Sequence, residues 1–110
     1  MKEKNSLIAE WLGYEIQGLS PNEVSIKNPF GEPFSIFWKP DKDRNQQKLI
    51  EDKLIEMGCF ITYTFDDHEE KWRICIYEED YDVMEIDKSK DIAFIDAVIE
   101  LIKQNENKGN

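Results

Sequence analysis

The nineteen residues CFITYTFDDHEEKWRICIY, Cys59 to Tyr77, decide the fold. Two runs rich in β-branched and aromatic residues, CFITYTF and WRICIY, flank the polar segment DDHEEK, the pattern of an antiparallel hairpin. A turn centred between His68 and Glu69 sets Phe65 opposite Trp72, Tyr63 opposite Ile74 and Ile61 opposite Ile76. That face is wholly apolar and reads as core. The other face carries Phe60, Thr62, Thr64, Arg73, Cys75 and Tyr77, a mixed set that suits a partly covered side of a sheet. This register puts Cys59 and Cys75 on opposite faces, which excludes a disulfide between them and leaves two free, partly buried thiols.

Outward from the hairpin, both flanks read as helices. Upstream, Pro40 ends a strand, Asp41 or Asp43 supplies a cap, and Leu49, Ile50, Leu54 and Met57 share a face that Gly58 closes. Downstream, Ser89 caps a last helix whose buried stripe is Phe94, Ala97, Val98, Leu101 and Ile102. Nearer the N-terminus, Leu7, Ile8, Trp11 and Leu12 recur at one-turn spacing before Gly13, predicting a short opening helix. QGLSPN then reads as a loop, while EVSIKN and FSIFW read as short strands joined by the turn PFGEP. The expectation is α+β in the order α-β-β-α-β-β-α, an antiparallel sheet with helices on both faces. It forms one domain over residues 1–104, with 105–110 as a flexible tail.

Three short segments add a likeness to this pattern: AEWLGYE closing the first helix, FWKPDKD leading into the second, and IDAVIELIKQ in the last. Together with the aromatic hairpin they resemble the phage ABA-sandwich family, small proteins of phages, prophages and Firmicute genomes, over about Leu7 to Lys103. The resemblance implies a three-layer helix-sheet-helix fold and a phage or prophage origin. It implies no catalytic residues, and this chain departs from the family pattern in the charged segment between its last strand and last helix.

That segment, YEEDYDVMEID, holds six carboxylates in eleven residues. The 110-residue chain has a net charge of -10, and residues 66–87 alone contain ten acids against Lys71 and Arg73. Such crowding is electrostatically unfavourable, since carboxylates repel within a Debye length of about 8 Å. The candidate partner-binding residues are therefore Asp66, Asp67, Glu69, Glu70, Tyr77, Glu78, Glu79, Asp80, Tyr81, Asp82, Glu85 and Asp87. Their charge opposes direct contact with nucleic acid, whose affinity comes from basic side chains, and suits a protein with a basic surface. The competing readings are a solvated acidic loop and, from the interleaved Tyr81, Val83, Met84 and Ile86, an edge strand protected by its charges.

Other chemistry finds little footing. Glu78, Asp80, Asp82 and Asp87 could offer oxygens to calcium or magnesium, but the spacing lacks the glycine and closing glutamate of an EF-hand, so no metal ligand is assigned. His68 sits in an exposed turn, where consecutive residues seldom converge on one ion. No nucleophile elbow, Gly-rich phosphate loop or dinucleotide motif occurs, so no cofactor and no catalytic residue is assigned. Trp11, Trp38 and Trp72 fit apolar stripes better than they fit exposed anchors. No signal-length or membrane-length apolar run is present, and the expected location is the host cytosol. These features lead to a non-enzymatic phage accessory protein that binds a partner through its acidic surface, an inhibitor of a host defence or nucleic-acid-processing protein being the most concrete form. The alternatives are a structural or regulatory phage module that self-associates, its acids serving solubility, and a divalent-metal-binding protein.

Overall fold

The computed structural model describes residues 4–20, 23–79 and 81–108. Three helices and six strands follow one another as α1 (Lys4–Leu12), β1 (Ile16–Ser20), β2 (Glu23–Ile26), β3 (Ile36–Phe37), α2 (Arg44–Glu56), β4 (Phe60–Asp66), β5 (Lys71–Glu78), β6 (Tyr81–Asp87) and α3 (Lys90–Lys108). The class is α+β, with three helices interleaved by antiparallel strands as the sequence predicts. The strands form two three-stranded sheets, β1-β2-β3 and β4-β5-β6, where the sequence suggested a single central one. The chain accordingly divides into two compact units, residues 1–48 and 49–110, with the division inside α2.

In the first unit, α1 buries Ile8 and Ala9 and ends at Gly13, whose φ of 82° is the left-handed geometry a helix stop requires. The Tyr14 amide reaches back to the Ala9 carbonyl at 2.9 Å to close that cap. The segment read as the loop QGLSPN is in part β1, paired with β2 through Leu19 opposite Val24 and Gly18 opposite Ser25. Gly18 and the nearby proline point locally to a turn, but pairing along β2 overrides that preference. Trp38 is 1% exposed and meets Tyr14 edge to face at a ring separation of 5.5 Å. Asp43, one of the two candidate caps, holds the start of α2: its Oδ1 accepts from the amides of Asn45 at 3.0 Å and Gln46 at 3.2 Å. Gln46 is buried and works in two directions, its Nε2 donating to the Phe37 carbonyl at 2.7 Å and its Oε1 accepting from the Lys39 amide at 2.6 Å. It thereby ties the end of the very short β3 to the first turn of α2.

In the second unit the hairpin has the register its alternation predicts, with Phe65 opposite Trp72, Tyr63 opposite Ile74 and Ile61 opposite Ile76. The acidic stretch continues it as β6, which pairs along the whole of β5 from Trp72 opposite Asp87 to Glu78 opposite Tyr81. Helix α3 packs against β5 and β6. Ser89 Oγ caps it by accepting from the Ile92 amide at 3.3 Å, and every residue of the expected stripe, Phe94, Ala97, Val98, Leu101 and Ile102, is buried. The helix runs on to Lys108, so the 105–110 segment read as a tail contributes its first four residues to α3.

Placing α3 over β5 and β6 corrects one expectation. Ile74, Ile76 and Val83 are buried, whereas on the edge strand β4 Ile61 and Tyr63 are only half-buried and Phe65 is 48% exposed. The apolar face is thus core in the middle of the sheet and open to water at its β4 edge. Both cysteines are free thiols, Cys59 buried and Cys75 half-buried.

Candidate functional site

Strand alternation sorts the acidic stretch into two faces. Because β6 aligns Asp82 with Tyr77, Met84 with Cys75 and Ile86 with Arg73, those residues share the side of the sheet opposite α3 with Phe60, Thr62 and Thr64 of β4. This side is open. Phe60 is 64% exposed, Met84 53%, Ile86 44% and Tyr77 39%. Phe60 and Tyr77, cross-strand neighbours, stack with ring centroids 5.6 Å apart at 27°. Four large apolar side chains gathered on one exposed face are more than scattered surface residues require.

The carboxylates do not gather around one point. Asp67, Glu69 and Glu70 are exposed in the β4–β5 turn, where Asp66 Oδ1 accepts from the amides of His68 at 2.9 Å and Glu69 at 3.3 Å. Glu70 completes that turn with a φ of 55°. Glu79 is exposed at the β5–β6 turn. The two turns cap opposite ends of the eight-residue β5, about 25 Å apart at a rise of about 3.3 Å per residue. That separation is several Debye lengths, so each end acts as its own acidic surface.

The remaining candidates have local tasks. Glu78 turns to the α3 side, half-buried, its Oε2 4.0 Å from the Cys59 Sγ. Burial, and then the Glu78 charge, push the Cys59 thiol above its ordinary range. Glu85 is half-buried opposite Ile74. Asp87 accepts from the Ser89 amide at 2.9 Å and so shapes the entry to α3. Asp82 is exposed on the open face beside Tyr77. Asp80 lies outside the described residues; Tyr81 opens β6, and its side chain also lies outside them.

Among the described residues no three Cys, His, Asp or Glu side chains are grouped to hold a metal ion, and His68 is exposed in its turn. No helix among them is long and apolar enough to cross a membrane. The sequence reading missed Met84 and Ile86 as parts of the open face. The polarity of DVMEI does not alternate, so only strand geometry, which sets Asp82, Met84 and Ile86 on one side, places them there. No protein family, curated protein or solved structure matches the chain.

Proposed function

We propose that this chain is a small, non-enzymatic protein-binding module that docks a basic partner surface with the open side of β4-β5-β6. The observation that carries the reading is the exposed Phe60–Tyr77 stack, continued by Met84 and Ile86 and bordered by the carboxylates of Asp82 and Glu79. An apolar centre with a charged rim is the anatomy of a protein interface: the centre supplies affinity, the rim steers encounter and rejects wrong partners. All of the net charge belongs to this unit, since residues 1–48 hold seven acids and seven bases whereas residues 49–110 hold seventeen acids and seven bases.

The likeness to the phage ABA-sandwich family supports a phage or prophage setting in the host cytosol. There the concrete form of the reading is an inhibitor that covers the basic channel of a host defence or nucleic-acid-processing protein. The second reading, self-association, is favoured by the same open apolar face. Salt separates the two, because docking to a basic surface weakens steeply with ionic strength while an apolar contact between copies does not.

The test is capture from nuclease-treated bacterial lysate with four baits: the parent chain, Glu79→Lys with Asp82→Lys, Asp67→Lys with Glu69→Lys, and Phe60→Ser with Tyr77→Ser. A partner released by moderate salt, and lost with the first and third variants but kept with the second, supports docking on the open face. A partner held equally by all four baits overturns it. A concentration-dependent dimer that the Phe60 and Tyr77 changes abolish and salt leaves intact favours self-association instead.

A further inference from the structure

We infer that the cleft between the last turns of α2 and the start of β4 is a binding pocket for a small organic cation, an apolar group carrying a primary ammonium. The cleft measures about 390 Å³ and is lined by Glu51, Ile55, Gly58, Cys59, Phe60, Ile61 and Tyr63. That volume lies within the range of small-molecule sites, which combine mostly apolar walls with a few fixed polar groups.

The fixed polar group is the Glu51 carboxylate, which lines the cleft together with the Tyr63 phenol. A carboxylate beside apolar walls attracts a cation more strongly than one in open water. Lys90 places its Nζ 4.7 Å from the centre of the Tyr63 ring and 5.2 Å from that of Trp72, so a protein ammonium already occupies that aromatic surface. The ligand's charge is therefore assigned to Glu51 and its apolar body to Ile55 and Ile61.

A second observation points to an occupant. Ile55 and Phe60, both at the cleft, are each 64% exposed. Leaving such side chains in water forfeits stabilisation that a covering group would recover. Gly58 keeps the wall between them low: its φ of 88° suits glycine, and a Cβ added there would meet no atom within 4 Å. The excess of acids in this unit draws cations toward it at long range, and the cleft adds apolar contacts that retain one. The cleft shares Phe60 with the docking face, but Glu51, Ile55, Ile61 and Tyr63 belong to the cleft alone, so its occupancy is tested separately from docking.

The test is titration of the full chain, followed by amide NMR, with tryptamine, indole and indole-3-propionate, which share a ring and differ in charge. Tryptamine is expected to shift the amides of Ile55, Gly58, Phe60 and Ile61 saturably and to bind about ten-fold tighter than indole-3-propionate, the effect of one charge-assisted contact. Glu51→Gln removes the charge at nearly constant size and should bring that ratio close to unity. Ile55→Trp, at an exposed position that leaves folding intact, should fill the mouth and abolish the shifts. Shifts spread over Asp67, Glu69, Glu79 and Asp82 without a cleft response would show nonspecific cation attraction and overturn the inference. So would equal affinity for amine and carboxylate, or an amine preference that survives Glu51→Gln.

Discussion

The Tyr63 phenol of β4 and the Glu51 carboxylate of α2 line one cleft. Burial, and then the nearby Glu51 carboxylate, raise the Tyr63 hydroxyl well above its ordinary value, since both disfavour a phenolate. A raised pKa means that the contribution is complete below about pH 10, the unfolded value, and is lost as pH climbs through the folded one. Absorbance titration of the four tyrosines should therefore show one that ionises last, in a step that Tyr63→Phe deletes and Glu51→Gln moves down. Ionisation of Tyr63 together with the rest would mean that it is neither buried nor near Glu51.

Gln46 is the polar clasp of the first unit. Gln46→Ala leaves the Phe37 carbonyl and the Lys39 amide without their partner, at a cost of about 2 kcal/mol in denaturant unfolding. Gln46→Met, which restores most of the volume but neither hydrogen bond, should recover little of that loss. Full recovery would make the role one of packing alone.

Ser6 presents the opposite case. It is 2% exposed, and its hydroxyl has no hydrogen-bond partner among the described residues. A buried unsatisfied hydroxyl opposes folding, so Ser6→Ala should leave stability unchanged or raise it by up to about 1 kcal/mol. A clear loss in melting temperature would mean the hydroxyl is in fact bonded.

The two thiols should react at different rates. Cys59 is buried, with its thiol pushed up by that burial and by Glu78, whereas Cys75 is half-buried on the open face. Thiolate is the reactive form, so at pH 8 a chain carrying only Cys75 should be alkylated about ten-fold faster than one carrying only Cys59. Glu78→Gln should narrow the difference. Equal rates would show that Cys59 is neither buried nor beside Glu78.

Centring the turn between His68 and Glu69 places Ile61, Tyr63 and Phe65 opposite Ile76, Ile74 and Trp72. The cap at Ser89, the pair Asp41 and Asp43 from which the α2 cap comes, the stop at Gly13 and the stripe from Phe94 to Ile102 are equally legible, because each depends on residues within one or two turns or one hairpin. The concentration of carboxylates between Asp66 and Asp87 belongs to this same level. What they form in space does not. Pairing of β6 along β5 sends Glu79 and Glu69 to opposite ends of the sheet, turns Glu85 toward α3, and leaves Asp82, Met84 and Ile86 on the open face. The position of α3 over β5 and β6 left Phe65 half in water, although its pattern reads as core. The cleft beside Glu51 and Tyr63 exists only where α2 meets β4. Local periodicity determines which residues share a face, but which face is covered, and which distant side chains meet, follows from contacts between elements whose energies no short window of sequence contains.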